Sequence, residues 1–253
     1  MASRRGQMLD GVLLLDKPEG LSSNHALQRA KRTLDARKAG HTGTLDPFAT
    51  GLLICCLGKA TKICGRLLDA DKGYVATLRF GEETDSGDLT GNIVARADAS
   101  FRGVARDALE QALEGFRGEI SQIPPMYSAL KRDGKPLYEY ARQGIELERP
   151  ARQITIHHLD LLSLSDDGLE ADIAVQCSKG TYIRTLAQDI GRALGCMAHL
   201  QRLRRTQAGP FRIDDAIGLE ALQGLPDPKV ALIPLNALPA GLLPETDQQK
   251  DEL

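Results

Sequence analysis

The chain has 253 residues, 42% hydrophobic and 26% charged, with a formal net charge of −2 and a pI near 6.2. That is enough apolar material to bury the core of one globular domain carrying an insertion, and it excludes a disordered chain. Its apolar runs, such as residues 51–57, stop short of the roughly 20 residues that a membrane helix needs, and the basic start meets Asp10 and Gly11 without a secretory segment.

A cytoplasmic chain is therefore predicted, and the final Lys250-Asp251-Glu252-Leu253 is a coincidental match to a retention address. In chain order, residues 11–15 read as a buried strand ended by the turn at 16–20. Ser22 or Ser23 then caps a helix whose apolar positions Ala26, Leu27, Ala30 and Leu34 share a face. A glycine-rich loop at 40–51 leads into a strand at 52–57 and a helix at 60–68. Residues 74–80 are strand-like, and 107–116 have helical spacing at Leu109, Leu113 and Phe116. Residues 153–164 and 169–178 form a strand pair around Asp166-Asp167-Gly168, with His157 and His158 expected on opposite faces. A helix follows at 181–194, ending at Gly195. The elements predict a mixed α/β or α+β sheet domain.

Residues 123–150 stand apart. Pro124-Pro125 opens the segment, Pro150 closes it, and Tyr127, Lys131, Arg132, Lys135, Tyr138, Tyr140 and Arg142 alternate aromatic with basic character, which reads as an inserted flap. Eight basic residues between His25 and Arg66 meet only Asp35 and Asp46, and seven from Lys179 to Arg212 meet only Asp189, so two basic blocks are available to attract phosphates. Five cysteines, odd in number and without a C-x-x-C pair, predict buried free thiols and no zinc; the five histidines have no metal-ligand spacing.

The densest stretch is Gly40-His41-Thr42-Gly43-Thr44-Leu45-Asp46-Pro47-Phe48-Ala49-Thr50-Gly51. Its glycines allow close backbone approach, and Pro47 biases Asp46 toward an extended presentation, a way to hold one carboxylate at a pocket mouth. Read singly, an Asp before Pro is more often a solvated turn residue. Gly58-Lys59-Ala60 lacks the spacing and the hydroxyl of a nucleotide-binding loop, and Gly40-x-x-Gly43 is too short to signify an RNA-binding turn alone.

His41-x-Gly43-x-Leu45-Asp46-Pro47-x-Ala49-x-Gly51 resembles the active-site motif of the TruB family of pseudouridine synthases. Residues 14–18 (LLDKP), 123–131 (IPPMYSALK) and 177–185 (CSKGTYIRT) resemble further segments of that family in the same order, so the resemblance runs from about residue 10 to about 215. It implies the α+β pseudouridine synthase fold, a mixed, mostly antiparallel sheet flanked by helices with a thumb-like flap. The implied domains are a catalytic domain at 1–235 and a tail, or remnant of a PUA-type domain, at 236–253. The implied reaction breaks the C–N glycosidic bond of a tRNA uridine, the T-loop residue at position 55, turns the base and rejoins it through C5, with neither cofactor nor metal.

By the same resemblance Asp46 attacks the sugar C1′ or the base C6, Arg184 is the cation that keeps it ionised, and Tyr74 stacks on the uracil and can take a proton. His41 fills the space left by the flipped base, while Lys17, Lys62, Tyr182 and Leu203 contact the nucleotide. Lys131, Arg132, Lys179, Arg202, Arg204 and Arg205 are candidate phosphate contacts. The partner is the T-arm of tRNA; no membrane and no obligate protein partner is expected, and the chain is expected to be a monomer. Met197 stands where the family commonly has Gly, and too few residues follow about 235 for a full PUA-type domain. Two rivals remain: a guide-directed synthase of the dyskerin type, which expects a longer chain with partner proteins, and a tRNA-folding chaperone with incidental catalysis.

Overall fold

Residues 6–242 are described by the computed structural model; the end of the expected tail, with Lys250 to Leu253, lies outside them. The chain folds as two compact units, one formed by residues up to Lys72 with those from Arg204 onward, the other by Gly73–Leu203.

Side chains alternate along a strand, so a strand covered on both faces needs apolar residues at nearly every position. The first unit opens on such a strand, β1 (Gly11–Lys17), followed by α1 (Ser23–Thr33), β2 (Ala39–Thr42), β3 (Thr50–Leu57) and α2 (Cys64–Asp69). β1 and β3 pair antiparallel, Leu13 opposite Cys55 and Leu15 opposite Leu53. Leu13, Leu15, Leu53 and Leu57 meet Ala26, Leu27, Ala30 and Leu34 of the α1 segment, while Val12, Leu14, Leu52 and Ile54 face the other way onto Ala60, Ile63 and Leu67. Each buried leucine contributes about 1.5–3 kcal/mol. Ser22 caps α1 as expected, its side chain accepting from His25 N at 3.2 Å.

Two expectations shift. Residues 39–42 are not loop but β2, paired along β3 with Gly40 opposite Cys56, which satisfies backbone groups a loop here would leave open. The helix expected at 60–68 starts as the 3-10 turn Gly58–Ile63 and becomes α-helical only in α2.

In the second unit β4 (Lys72–Phe80) leads to the hairpin of β5 (Glu82–Thr84) and β6 (Ile93–Arg96), then α3 (Arg106–Glu114) and β7 (Gly118–Gln122). The flap carries β8 (Lys131–Arg132), β9 (Lys135–Pro136) and α4 (Leu137–Ala141). β10 (Arg152–Leu164) pairs antiparallel with β7 and with β11 (Glu170–Cys177), which neighbours β4. α3 packs on β10 and on α5 (Ile183–Ala193), burying Leu109, Leu113, Leu186 and Ile190. His157 and His158 are both exposed, not on opposite faces, because the β10–β11 register slips between Ile156 and His158 and a bulge breaks the alternation.

α5 closes as its sequence predicts. Gly195 has φ +68°, its N–H bonds Arg192 O at 3.0 Å and Cys196 N bonds Gly191 O at 3.0 Å, a Schellman stop. Met197 follows with φ +57°, left-handed backbone that suits glycine better.

β12 (Ala198–Ala208), absent from the sequence expectation, returns the chain to the first unit, where Arg204 and Arg205 lie parallel beside Thr50 and Gly51 of β3. β13 (Phe211–Arg212) turns back on β12, β14 (Ile217–Gly218) runs parallel to β1, and α6 (Leu219–Gly224) sets Leu219 and Leu222 against the α1 face. Beyond α6, Ile233 exchanges backbone bonds with Val12 at 2.8 and 2.9 Å. The sheet is mixed and mostly antiparallel with flanking helices, the expected α+β class. Among the described residues no helix is long and apolar enough to cross a membrane.

Candidate active site

The Asp46 loop of the first unit is held by side chains that come from beneath it. Ser23 Oγ, buried at the start of α1, accepts from Leu45 N at 2.7 Å and donates to Leu45 O at 3.0 Å. Ala49 N bonds Asp46 O at 3.1 Å, and Gly20 N bonds Pro47 O at 2.8 Å. Together these bonds fix the backbone on both sides of a half-buried carboxylate.

Lys17 closes β1 with no exposed surface. Its ammonium donates to Pro18 O at 2.8 Å, Leu21 O at 2.7 Å and Pro47 O at 3.4 Å. Burial pushes it down to about 8, opposed by the attraction of the Asp46 and Glu19 carboxylates and reinforced by Arg205. His41, on β2, is held below its ordinary value by burial and by Arg205, and its Nδ1 is buried without a hydrogen-bond partner among the described residues.

Arg205 is 1% exposed. Its Nε donates to Leu52 O at 2.7 Å and its Nη2 to Gly43 O at 3.0 Å, so the guanidinium joins both ends of the loop. Gly51 is required beside it: φ is +103°, and a Cβ there would lie 2.3 Å from Arg205 O. Arg205 was expected among phosphate contacts; burial removes it from the surface and gives it a positioning task. Once β12 is formed, period two along the strand puts Arg205 on the same buried face as Leu203.

In the second unit Arg184 lies on the first turn of α5, 4% exposed. Its Nη1 donates to Ser86 O at 2.7 Å, its Nη2 to Tyr127 O at the flap's root at 2.6 Å, and its Nε stands 3.8 Å from Asp88 Oδ2. Asp88, equally buried, was not anticipated. Its Oδ1 accepts from Thr90 N and Ser86 Oγ, each at 2.9 Å, so the carboxylate is fixed before it meets the arginine. Gln122 was missed as well; it brackets Tyr182, donating to Tyr182 O at 3.0 Å and accepting from Tyr182 N at 2.8 Å. Tyr74 is half-buried on β4, and Leu203 is buried on β12.

The remaining basic candidates are dispersed. Lys62 is exposed on the turn before α2, where it lines a surface cavity of about 540 Å³ with Arg37, Lys38 and Lys59. Lys131 and Arg132 are exposed on the flap, and Lys179 on the turn before α5. Arg202 is exposed beside Thr77, 3.3 Å away, and Glu170, 3.9 Å away. Arg204 grips Asp16 with two bonds of 3.0 and 2.8 Å, which already occupies much of its fork. Among the described residues no group of three or more His, Cys, Asp or Glu side chains is placed to hold a metal.

Residues 31–183 match the family described as "TruB family pseudouridylate synthase (N terminal domain)", and residues 184–228 match "tRNA pseudouridylate synthase B C-terminal domain". Over 246 residues the chain is 74% identical to a Bordetella pertussis protein named tRNA pseudouridine synthase B, covering 97% of this chain and all of that one. A protein of the same name from Aromatoleum aromaticum is 59% identical over 95% of this chain and 77% of its own length. Among solved structures, "Crystal Structure of a Cbf5-Nop10-Gar1 Complex" aligns at TM-score 0.69 and 32% identity over 90% of this chain, which spans 60% of the chain it matches. "Structure of H/ACA RNP bound to a substrate RNA containing 2'-deoxyuridine" aligns at TM-score 0.65 and 29% identity, over 90% of this chain and 59% of that one.

Proposed function

The chain belongs to the TruB family of pseudouridylate synthases, and from that membership we propose that it isomerises uridine to pseudouridine at position 55 in the T-loop of tRNA, with Asp46 attacking a flipped-out nucleotide. Formation of pseudouridine in tRNA rests on the relatives of the same name at 74% and 59% identity, which favour this reaction over a guide-directed one. The observation that carries the role of Asp46 is the construction of its loop. Leu45, Asp46 and Pro47 are each tied through the backbone, and a buried ammonium, Lys17, attracts the carboxylate. A carboxylate so placed is aimed without reorganising as the reaction starts.

The other roles follow from the family resemblance. Arg184 supplies the cation for the reacting carboxylate, and its guanidinium is already oriented by Ser86, Tyr127 and Asp88. Tyr74 stacks on the base and takes the proton lost from C5. His41 enters the space the base vacates. Lys62, Tyr182 and Leu203 surround the nucleotide, Lys17 acts on it from beneath through the Asp46 loop that its ammonium holds, and Lys131, Arg132, Lys179, Arg202 and Arg204 meet phosphates. The enzyme works as a monomer in the cytoplasm, without cofactor, metal or obligate protein partner.

Incubating the protein with naked T-arm RNA and mapping pseudouridine tests this. Wild type is expected to modify the uridine at position 55 alone, and Asp46→Asn to leave it unmodified while still binding the RNA. Modification by Asp46→Asn at the wild-type rate would overturn the assignment.

A further inference from the structure

The start of α5 carries Tyr182 at the N-cap and Arg184 in the first turn, yet the Tyr182 side chain makes no capping bond. In a capping box the side chain three residues after the N-cap reaches back to the N-cap N–H. That position holds Thr185, whose buried hydroxyl has no hydrogen-bond partner among the described residues. Gln122, at the end of β7, makes the bond in its place. Its Oε1 accepts from Tyr182 N at 2.8 Å and its Nε2 donates to Tyr182 O at 3.0 Å. A backbone N–H only donates and a C=O only accepts, so the amide has a single orientation. At 2% exposure it is shielded from solvent.

We propose that Gln122 is a positioning residue for pseudouridine formation, capping α5 from β7 so that Tyr182 and Arg184 are held for the reacting nucleotide. It acts through those two side chains, and the inference rests on the roles given to them above.

The sheet sets where this cap stands. Gln122 lies opposite Arg152 in the β7–β10 ladder, so the backbone that carries the amide is fixed before the flap begins at Ile123. Farther along the flap's root, Tyr127 O accepts from Arg184 Nη2 at 2.6 Å. The chain from 122 to 127, stiffened by Pro124 and Pro125, is therefore fastened at both ends to the start of α5. Ser86 O holds the other arm of the guanidinium at 2.7 Å. A cation so framed acts without reorganising, an advantage spent in the chemical step. Freeing the N-cap releases Tyr182 and Arg184 together, while the exposed lysines and arginines that meet phosphates are untouched.

The test combines steady-state kinetics on T-arm RNA with amide hydrogen exchange of the whole protein. Gln122→Met keeps the length and removes both bonds; Gln122→Asn keeps a buried amide but is one methylene too short to reach. In both, kcat should fall about tenfold with KM within about twofold of wild type. Tyr182 N–H should exchange about tenfold faster, with the β10–β11 amides unchanged. Either variant carries the test if the other does not fold. Wild-type kcat in either folded variant, a loss confined to KM, or exchange that is unchanged at Tyr182 or faster throughout the protein would overturn the proposal. Wild type that leaves T-arm RNA unmodified would sink the proposed function instead, and the exchange measurement would still decide whether Gln122 caps α5.

Discussion

A side chain in the site owes its chemistry to what burial and neighbours do to its charge, and Lys17 is the clearest case. Its ammonium, shifted down to about 8 from 10.5, binds a proton less readily in the folded chain than in the unfolded one. Between about pH 8 and 10.5 the unfolded state therefore holds more protons, and stability rises with pH; below about 8 the penalty is fully present. Urea unfolding across that window should show a positive pH slope in wild type that is absent from Lys17→Met. Asp88 acts on Arg184 by position, its carboxylate standing 3.8 Å from the guanidinium Nε. Asp88→Asn keeps the shape but removes the charge beside the Arg184 Nε, and kcat for pseudouridine formation should fall by about tenfold or more with KM changed less than about twofold. A raised KM at unchanged kcat would show instead that Asp88 serves RNA binding. The motif around Asp46 was legible because chemistry and glycines crowd one stretch; Asp88 was not, since an aspartate in Asp85-Ser86-Gly87-Asp88 reads as a turn residue until the fold brings Arg184 to it.

Among the elements, those with a strong period were legible and those defined by distant partners were not. α1 carries a serine N-cap, α5 a glycine stop, and each has an apolar face; both form within two residues of expectation. β12 carries Arg202, Arg204 and Arg205, charges that mask its alternation until β3 pairs with it, and β2 was hidden in a glycine-rich stretch for the same reason. The junction between α5 and β12 holds a departure that was visible in the sequence. Met197 adopts the left-handed backbone for which the related glycine is suited. Such a conformation costs a side-chain-bearing residue about 1–2 kcal/mol, partly offset by the extra freedom glycine has when unfolded. Met197→Gly should raise stability by about 0.5–1 kcal/mol and Tm by about 1–3 °C, checked by calorimetry. A lower Tm would mean that packing of the Met197 side chain outweighs the backbone.

For the whole molecule, a net charge of −2 conceals how the charges are sorted. The basic block between His25 and Arg66 belongs to the first unit, whereas Asp160, Asp166, Asp167, Glu170 and Asp172 gather on the β10–β11 hairpin of the second. Binding of tRNA through the basic blocks should weaken steeply with salt, the logarithm of the binding constant falling by about 0.7–0.9 per phosphate contacted for each tenfold rise in salt. A flat response in a filter-binding titration would contradict phosphate contacts by these residues. The fold class was legible because several motifs in the right order point to one family, while the division into two units depends on pairings between segments far apart in the chain. The Asp46 loop shows what that distance means during synthesis. Its two ends are joined by Arg205, which follows Asp46 by more than half the chain. Closing so long a loop is slow and entropically costly. A nascent chain that has already made Asp46 therefore cannot lock that carboxylate in place until β12 has emerged, and the loop matures only when most of the protein exists.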